Sequence, residues 1–390
     1  MIIIIQKASG RRLIIINDLQ KRSWAEIYPD NIRHNCRSIR AQLPEGTRFL
    51  GVVKADAYGH GAVAVSRILQ EEGADYLAVS CLDEAIELRD AGITMPILIL
   101  GHTPREYVPL LIEKDITQTV TCLAKAVEFS AEAAKLNKTL RVHIKVDSGM
   151  SRLGFLVSGD HFDEGIDNII ASCTLPGLEP EGIFTHFAVS DEEGGDNREY
   201  TLRQYRLFLS VIDAVFEKGG IKFKIRHCAN SGATVNYPEM ALDMVRPGLL
   251  LYGYGDTSGR FNLKPCMRLV TTVSTIKFYE PGTCVSYGRR FTTERRTRMG
   301  VLAIGYADGL PRIISNKCSF AVKGGFAPQR GSICMDMCML GLTDFPEVDV
   351  GSEVELFGGV NSIYKLSDAA GTIPYELLCA VSKRIPRVYK

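Results

Sequence analysis

A single lysine directly follows a short apolar run, a position where a charged side chain is poorly solvated. The run Phe49–Val53 is typical of a buried strand, and Lys54 stands at its C-terminal end. Poor solvation favours the neutral amine, which is the form that attacks carbonyl carbons. Tyr58, Gly59 and Gly61 follow, and a phenol with a glycine-rich turn could hold a phosphate group. The segment indicates either an amine that binds the aldehyde of pyridoxal phosphate or an ordinary surface lysine after a strand.

Further polar residues occur where later apolar runs end. His186 ends the run that starts at Gly182. Asn230 and Ser231 follow the next run, and Arg246 lies in the one after that. Each is a weak signal alone, because a histidine after a strand is more often structural and Asn-Ser-Gly is more often a turn. In a parallel barrel, however, the C-terminal ends of all strands meet on one face, so their joint placement predicts one site that includes the lysine.

Eight apolar runs alternate with helical patterns over the first two thirds of the chain. The runs are Phe49–Val53, Tyr76–Val79, Ile97–Leu100, Thr117–Val120, Leu140–Val146, Gly182–Thr185, Lys224–Cys228 and Val245–Tyr252. Helical patterns between them include Leu82–Asp90, Leu123–Lys135 and Thr201–Lys218. Eight such units in ~200–250 residues are what a (β/α)8 TIM-like barrel requires. A doubly wound open sheet is the alternative, which is weakened because no G-x-G-x-x-G motif follows the first strand.

The sequence pattern changes near residue 270. β-rich runs then follow one another, separated by turns. These runs are Thr271–Tyr279, Arg298–Ile304, Ser319–Val322, Ile333–Leu340 and Glu353–Phe357. We therefore expect the α/β barrel to be followed by a β-rich C-terminal domain. The predicted boundaries are a leader of unknown role at residues 1–17, an N-terminal strand at 18–27 that packs with the C-terminal domain, the barrel at 28–271 and the β-rich domain at 272–390.

The composition is that of an ordinary globular protein and excludes several functional classes. The 390 residues carry a net charge of +1, which gives no electrostatic basis for binding nucleic acid or an anionic membrane. The eleven cysteines are scattered, and no histidine lies near the closest pair, Cys334 and Cys338, so no metal site is predicted. We therefore expect reduced thiols and a cytoplasmic location. No apolar run reaches the ~18 residues of a membrane span.

The order and spacing of several motifs give a resemblance to a known family. The string Val53-Lys-Ala-Asp-Ala-Tyr-Gly-His-Gly61 resembles the cofactor-lysine segment of the alanine racemases, which are barrel-type pyridoxal phosphate enzymes. Further similar segments are Lys145–Gly154, His227–Ser231, Met244–Gly248, Cys284–Gly288, Ile304–Gly309 and Ile333–Asp336. The similarity runs from about Trp24 to Val388. It implies a pyridoxal phosphate enzyme that works as a homodimer with shared active sites.

The resemblance also implies roles for individual residues. Cofactor binding falls to Lys54, Tyr58, His186, Asn230, Ser231, Arg246, Gly248 and Leu249. Substrate binding falls to Arg152, Tyr306, Met335 and Asp336. Lys54 and Tyr287, the latter from the partner subunit, would be the acid–base groups on opposite faces of the substrate α-carbon. Lys145 would either be carbamylated and orient the arginine, or form an ordinary salt bridge.

Arg246 has a specific meaning in this scheme, because it would face the pyridine nitrogen. An arginine side chain can only donate hydrogen bonds, so the ring nitrogen would stay unprotonated. The ring is then a weaker electron sink, and the carbanion at the α-carbon is short-lived. A short-lived carbanion favours reprotonation, and hence racemisation, over transamination.

The implied function is the interconversion of L-alanine and D-alanine, which supplies D-alanine for cell-wall peptidoglycan. The expected partner is therefore a small amino-acid substrate. Alternatives are a broader alanine/serine racemase, a pyridoxal phosphate decarboxylase of related architecture, and a non-catalytic pyridoxal phosphate barrel protein, although such carriers lack a second β domain. The sequence departs from the family at Ser332, where an arginine is usual at the channel entrance, and at Lys383, where many relatives have a tyrosine. These departures leave the size selectivity for the substrate side chain open.

Overall fold

The computed structural model forms two compact units. The described residues are 2–7, 10–15, 22–192 and 194–390. Tyr28–Cys266 forms one unit, the barrel unit. The second, the β unit, combines Met1–Ile27 with Met267–Lys390.

Among the described residues before the barrel unit, three strands are formed. They are β1 (Ile2–Lys7), β2 (Gly10–Ile15) and β3 (Ser23–Ile27). Strands β1 and β2 pair as an antiparallel hairpin, and β3 joins the sheet of the β unit. Of the predicted leader, positions 1, 8, 9, 16 and 17 lie outside the described residues, as do positions 18–21 of the predicted N-terminal strand.

Strands and helices alternate through the barrel unit. The strands are β4 (Arg48–Val52), β5 (Tyr76–Val79), β6 (Ile97–Ile99), β7 (Ile116–Val120), β8 (Leu140–Asp147), β9 (Phe155–Leu156), β10 (Leu178–Phe184), β11 (Ile225–His227) and β12 (Met244–Val245). The helices are α1 (Pro29–Arg40), α2 (Lys54–Tyr58), α3 (Ala62–Glu71), α4 (Leu82–Asp90), α5 (Val108–Glu113), α6 (Leu123–Lys135), α7 (Phe162–Cys173), α8 (Gly195–Gly219) and α9 (Ser231–Asn236). Short 3-10 helices span Arg105–Tyr107, Gly159–His161, Pro238–Met240 and Leu249–Tyr252.

Eight of these strands form one parallel sheet that closes on itself. Their order is β11-β10-β8-β7-β6-β5-β4-β12, and β9 pairs only with β8. The backbone amides of Arg246 and Asp243 donate to the carbonyls of Ala229 and Arg226 at 2.9 and 3.0 Å, which joins the two ends of the sheet. Strands covered by helices on one face and packed side chains on the other are apolar throughout, as β5 and β6 are. The predicted (β/α)8 barrel is confirmed.

The last predicted barrel strand is wrong beyond its first residue. Strand β12 ends at Val245, whereas the prediction continued to Tyr252. Pro247 has no amide hydrogen to donate to a neighbouring strand, and the segment Leu249–Tyr252 turns into a 3-10 helix. The start of this 3-10 helix, and not a further strand, therefore follows β12 near the strand ends where the site is predicted.

The β unit is antiparallel apart from one edge. Its further strands are β13 (Met267–Tyr279), β14 (Cys284–Val285), β15 (Phe291–Thr292), β16 (Thr297–Leu302), β17 (Ser319–Val322), β18 (Gly325–Arg330), β19 (Cys338–Gly341), β20 (Glu353–Phe357) and β21 (Arg387–Tyr389). Helices α10 (Ile363–Ala370) and α11 (Pro374–Ala380) and 3-10 helices Tyr287–Arg289, Tyr306–Asp308 and Arg312–Ile314 connect them. The predicted β-rich C-terminal domain is confirmed.

A long strand organises the sheet of the β unit. The order is β16-β19-β18-β17-β20-β13-β3-β21, and β13 also pairs with β16, so six strands form a closed circuit. The first part of β13 pairs with β3 and β20, and its second part with β16. The boundary predicted between residues 271 and 272 therefore falls within a strand. None of the helices in the described ranges is long and apolar enough to cross a membrane.

Candidate active site

Lys54 begins α2, whose backbone is a tight left-handed turn and not a regular right-handed helix. Residues 55–58 all have φ between 52 and 54°, a conformation that costs roughly 1–2 kcal/mol per residue for side chains with a Cβ. Surrounding hydrogen bonds must therefore hold the turn. The Asp56 carboxylate accepts from the amide of Ala62 at 2.8 Å, which ties the turn to the start of α3. The strained turn fixes where Lys54 and Tyr58 leave the backbone.

A cluster of rings supports Tyr58 from behind. The His60 ring stacks on Tyr252 at 4.5 Å, and the Tyr58 ring lies 4.9 Å from the same residue. Nδ1 of His60 lies 2.9 Å from the carbonyl oxygen of Ala57, so this nitrogen carries the proton and donates. The Tyr252 hydroxyl donates to the Val52 carbonyl at 2.8 Å. Neither His60 nor Tyr252 is among the site residues predicted from the sequence.

A set of small polar groups meets the Tyr58 hydroxyl. The Gly248 amide donates to the Ser231 hydroxyl at 2.9 Å. A Cβ added to Gly248 would lie 2.6 Å from the Tyr58 hydroxyl oxygen, so only glycine permits this approach. Asn230 caps helix α9 through its side-chain oxygen, and Leu249 follows as the first residue of the 3-10 helix. The barrel thus gathers these five predicted residues at one place.

Arg246 lies almost completely buried, with 4% of its surface exposed. Its NH2 group donates to the carbonyls of Thr185 and Cys228 at 2.9 and 3.0 Å and lies 3.3 Å from Nδ1 of His186. Its NH1 group lies 3.1 Å from Nδ1 of His227. Because arginine only donates, both imidazoles accept through Nδ1. Burial and then the Arg246 charge hold the pKa of both histidines well below the usual range, so they are neutral.

Lys145 is a buried amine of the barrel unit, with 4% of its surface exposed, as for Arg246. Burial first, and then the charges of Arg152 and Arg246, lower its pKa to about 8. Lys54 adds to this effect, which places the two lysines in one electrostatic environment. Among the described residues no salt bridge to Lys145 is formed, and its Nζ lies 5.4 Å from the centre of the Phe184 ring. The ordinary salt bridge considered from the sequence is therefore not what this structure contains.

The remaining predicted residues lie in the β unit and share one cavity. Tyr287, Tyr306, Met335 and Asp336 line a space of about 820 Å³. Tyr287 is 71% exposed and Met335 is 53% exposed. The buried Ser332 hydroxyl donates to the backbone carbonyl of Tyr287 at 2.7 Å. The serine that departs from the family pattern therefore supports the tyrosine segment.

A buried carboxylate holds the loop that carries Asp336. Asp308 is fully buried and accepts two hydrogen bonds of 2.8 Å from Arg22. Arg384 donates from Nε to Asp308 and from NH2 to Asp336, both at 2.6 Å. No local sequence pattern signals this network, because its four members lie far apart along the chain and meet only in the folded protein.

The donor set of the barrel unit fits a flat anionic cofactor such as pyridoxal phosphate. The small donors around the Tyr58 hydroxyl suit a phosphate, and Lys54 suits an aldehyde. Nε of Arg246 donates to none of the described residues, which leaves a donor for a ring nitrogen. No group of three or more histidine, cysteine, aspartate or glutamate side chains in the described ranges is arranged as metal ligands.

Comparison with protein families gives two matches that together span nearly the whole chain. The alanine racemase N-terminal domain matches residues 27–256. The alanine racemase C-terminal domain matches residues 266–389.

Individual relatives agree with these families. Alanine racemase 1 of Clostridium acetobutylicum is 44% identical over 374 residues, which cover 94% of this chain and 95% of that protein. Alanine racemase of Clostridium perfringens is 43% identical over 375 residues, again 94% of this chain and 95% of that protein. The solved alanine racemase of Clostridium difficile 630 superposes with a TM-score of 0.88 at 40% identity and covers 96% of this chain and 97% of its own. The alanine racemase of Bacillus anthracis with bound L-Ala-P superposes with a TM-score of 0.83 at 33% identity, covering 95% of this chain and 96% of its own.

Proposed function

The chain belongs to the alanine racemase family, and we propose that it interconverts L-alanine and D-alanine with pyridoxal phosphate bound in the barrel unit. One observation carries the proposal. A buried arginine with a spare donor, a lysine at the end of a barrel strand, and a glycine-dependent set of donors around Tyr58 lie in one barrel. The product D-alanine would supply cell-wall peptidoglycan.

Different residues of the barrel unit would bind different parts of the cofactor. Tyr58, Ser231 and the amide of Gly248 would hold the phosphate, and Lys54 would hold the aldehyde carbon. When bound, pyridoxal phosphate makes the α-hydrogen of an attached amino acid more acidic by conjugation with its ring. The left-handed turn keeps Lys54 at a fixed place while its Nζ receives or returns the α-proton on one face of the substrate.

Arg246 would select racemisation among the reactions that the cofactor permits. Its guanidinium stays protonated, since burial lowers its pKa only to about 10. It can therefore donate a hydrogen bond to a ring nitrogen. A ring nitrogen that accepts this bond is unprotonated and uncharged. His186 and His227 accept from the guanidinium and hold its plane. A donor held in this way favours return of the proton to the α-carbon.

The second acid–base group would be Tyr287 of a second copy of the chain. Tyr287 is 71% exposed in its cavity, and Met335 and Met337 beside it are each about half exposed. An exposed group of aromatic and methionine side chains is typical of a surface that contacts a partner. We therefore propose a homodimer in which each active site uses Lys54 of one chain and Tyr287 of the other. All eleven cysteines lie in the described ranges and are free thiols, which supports a cytoplasmic enzyme.

Arg152 and Lys145 would serve the carboxylate end of the substrate. Arg152 is exposed at the end of the segment that follows β8, where it can pair with a carboxylate. A pKa near 8 leaves Lys145 partly neutral at neutral pH, and a neutral amine can react with carbon dioxide. The resulting carbamate would carry a negative charge beside Arg152 and would orient it. Tyr306, Met335 and Asp336 would line the path by which the substrate enters.

The side-chain size that the site accepts separates an alanine racemase from a broader alanine/serine racemase. Ser332 does not replace an entrance arginine functionally, because its hydroxyl is used by the Tyr287 backbone. Alanine is the substrate that we propose, in line with the names of the relatives.

The test is circular dichroism of L-alanine, D-alanine and L-serine incubated separately with protein loaded with pyridoxal phosphate. We expect the signal of either alanine enantiomer to fall to zero, since the equilibrium constant of the reaction is one. A much slower change with L-serine would identify an alanine racemase. Cofactor binding without any change in the alanine signal would instead identify a non-catalytic carrier.

A further inference from the structure

A chain of polar side chains runs through the interior of the barrel unit from Arg246. NH1 of Arg246 lies 3.1 Å from Nδ1 of His227, whose Nε2 lies 2.9 Å from Nδ1 of His143. Nε2 of His143 lies 3.4 Å from a carboxylate oxygen of Glu181. The hydroxyl of Tyr76 donates to the same oxygen. Three hydrogen bonds thus connect the buried guanidinium to a carboxylate that does not touch it, and Tyr76 adds a fourth hydrogen bond at the carboxylate end.

The chemistry of the two ends fixes the direction of every hydrogen bond. Arg246 can only donate, so His227 accepts through Nδ1 and carries its proton on Nε2. That proton is donated to Nδ1 of His143, whose own proton on Nε2 is donated to the carboxylate of Glu181. An ionised carboxylate can only accept, so the arginine end and the glutamate end require the same tautomers. The donor and acceptor directions of all these hydrogen bonds are therefore compatible with one another.

The charges in this chain are also settled by the surroundings. Burial lowers the pKa of His143 and His227, so both rings are neutral. Burial alone would raise the pKa of Glu181, but hydrogen bonds from His143 and Tyr76 outweigh it and lower the pKa to about 2. The chain therefore joins a buried cation and an anion through two neutral imidazoles. Among the described residues no carboxylate forms a salt bridge with Arg246 directly, and a buried charge without a partner is costly.

Local features of the fold place Glu181, His143 and His227 in this series of hydrogen bonds. The pairing of β10 with β8 shifts register between Pro180 and Gly182, so Glu181 is the extra residue of a β-bulge. Bulges redirect a side chain that regular pairing would point elsewhere. A Cβ on Gly182 would lie 2.6 Å from the His143 ring, so glycine makes room for that ring. The His227 ring is held flat against Phe184, with centres 4.7 Å apart and planes 12° apart.

We propose that Glu181 and His143 are positioning residues that act through His227 to hold Arg246 as a charged, correctly oriented donor for the ring nitrogen of the cofactor. This rests on the proposed function, because it concerns the same cofactor. Hydrogen-bond chains in a low-dielectric interior polarise one another, so removing the charge at one end weakens the other. Glu181 would therefore influence cofactor binding without contacting the cofactor.

The first measurement follows the histidine tautomers in the full chain without cofactor, by nitrogen NMR of protein with labelled histidines. We expect His143 and His227 to be neutral with the proton on Nε2 at neutral pH, and we expect Glu181→Gln to shift the Nε2 resonance of His143 while Nε2 stays protonated, because an amide oxygen accepts a hydrogen bond more weakly than a carboxylate does. Glu179→Gln is the matched control, because Glu179 lies on the same strand and pairs with the surface residue Lys224. Protonation on Nδ1 of either ring in the wild type would overturn the proposal.

The second measurement is a double-mutant cycle on the dissociation constant for pyridoxal phosphate. We expect Glu181→Gln and His143→Phe each to weaken binding on the order of tenfold, as removal of a positioning residue commonly does. In an Arg246→Gln background the same changes should have little further effect, because residues that act as a unit are not additive. Glu179→Gln should have no effect in either background.

Equal effects of Glu181→Gln in both backgrounds, or an effect no larger than that of Glu179→Gln, would overturn the proposal. If Glu181→Gln does not fold, Tyr76→Phe removes only one hydrogen bond to the carboxylate and should weaken binding about twofold to threefold, again only with Arg246 present. Absence of cofactor binding by the wild type would contradict the proposed function instead. The NMR result would still decide whether the hydrogen bonds from Arg246 to Glu181 exist.

Discussion

The barrel unit and the β unit differ in how deeply they bury the centre of their candidate functional groups. In the barrel, Arg246 and Lys145 are almost fully buried, and both have a lowered pKa. In the β unit, Tyr287 and Met335 are mostly exposed. Nearby hydrogen bonds fix the surrounding backbone instead. Ser332 donates to the Tyr287 carbonyl, and the Asp308 carboxylate accepts from the Gly305 amide.

This difference indicates that the two units have different tasks. A buried, prearranged set of donors suits the binding of a cofactor. An exposed aromatic surface on a rigid support suits a contact with a second copy, to which it would add one catalytic group. If so, the barrel unit should bind the cofactor without help, while catalysis should need both units from two chains.

The largest expected effect comes from removing the Lys54 amine. Lys54→Ala should abolish the visible absorbance of bound pyridoxal phosphate and lower kcat on the order of 10⁴-fold, because it removes both the cofactor attachment and one acid–base group. Absorption spectra and racemisation rates measure this. Lys135→Ala, on the surface of α6, should leave both unchanged. Cofactor retained at full absorbance by Lys54→Ala would show that another amine holds it.

The next largest effect concerns the division of labour between chains. Lys54→Ala and Tyr287→Ala should each be inactive, yet mixed dimers should contain one complete site. A random mixture should therefore regain about a quarter of wild-type activity. Mixing Lys54→Ala with the double variant Lys54→Ala/Tyr287→Ala is the control, since no complete site can form. Verified mixed dimers without any activity would argue that each chain builds its site alone.

A smaller effect tests the buried amine Lys145 through pH. Below pH 8 both folded and unfolded chains hold its proton, whereas between about 8 and 10.5 only the unfolded chain does. The unfolded state then binds more protons, so stability should rise with pH across this window by up to about 3 kcal/mol. Urea unfolding of the cofactor-free protein should show this rise, and Lys145→Met should lack it. In bicarbonate labelled with carbon-13, a carbamate signal present in wild type should be absent from Lys145→Met. An identical pH slope in both proteins would show that Lys145 is not held as a poorly solvated amine.

The smallest predicted effect tests the close approach at the phosphate end. Gly248→Ala would place a Cβ 2.6 Å from the Tyr58 hydroxyl oxygen, so the phenol must move. We expect the dissociation constant for pyridoxal phosphate to rise about tenfold, equivalent to about 1.4 kcal/mol. Gly195→Ala is the matched control, since nothing lies within 4 Å of an added Cβ there. Unchanged affinity would remove Tyr58 and Gly248 from the phosphate site.

The parts of the fold that sequence predicted well are those set by local pattern. Strands buried on both faces give continuous apolar runs, and β5 occupies the predicted residues Tyr76–Val79. The end of the barrel was predicted poorly, since a proline after β12 stops the ladder while the apolar pattern continues. Local pattern therefore located strands better than it located their ends.

The candidate site divides in a similar way. Its strand-end residues were found because a lysine, a histidine or an arginine is unusual after an apolar run, although their catalytic roles stay predictions. The link from Arg246 to Glu181 could not be found, because it depends on a register shift between two strands and on the room left by Gly182. Alternating polar residues inside β8, His143 and Lys145, were the only available sign that two polar side chains share the barrel interior.

The central claim is that two different groups, Lys54 and Tyr287, serve opposite faces of one substrate carbon. Proton NMR of D-alanine and L-alanine, each incubated in deuterated water with Tyr287→Phe, tests it most directly. We expect the variant to exchange the α-proton of D-alanine without inverting it, with Lys54 as the base, while exchange from L-alanine is lost by on the order of 10²–10⁴-fold. Equal loss of exchange from both enantiomers would contradict the two-base account.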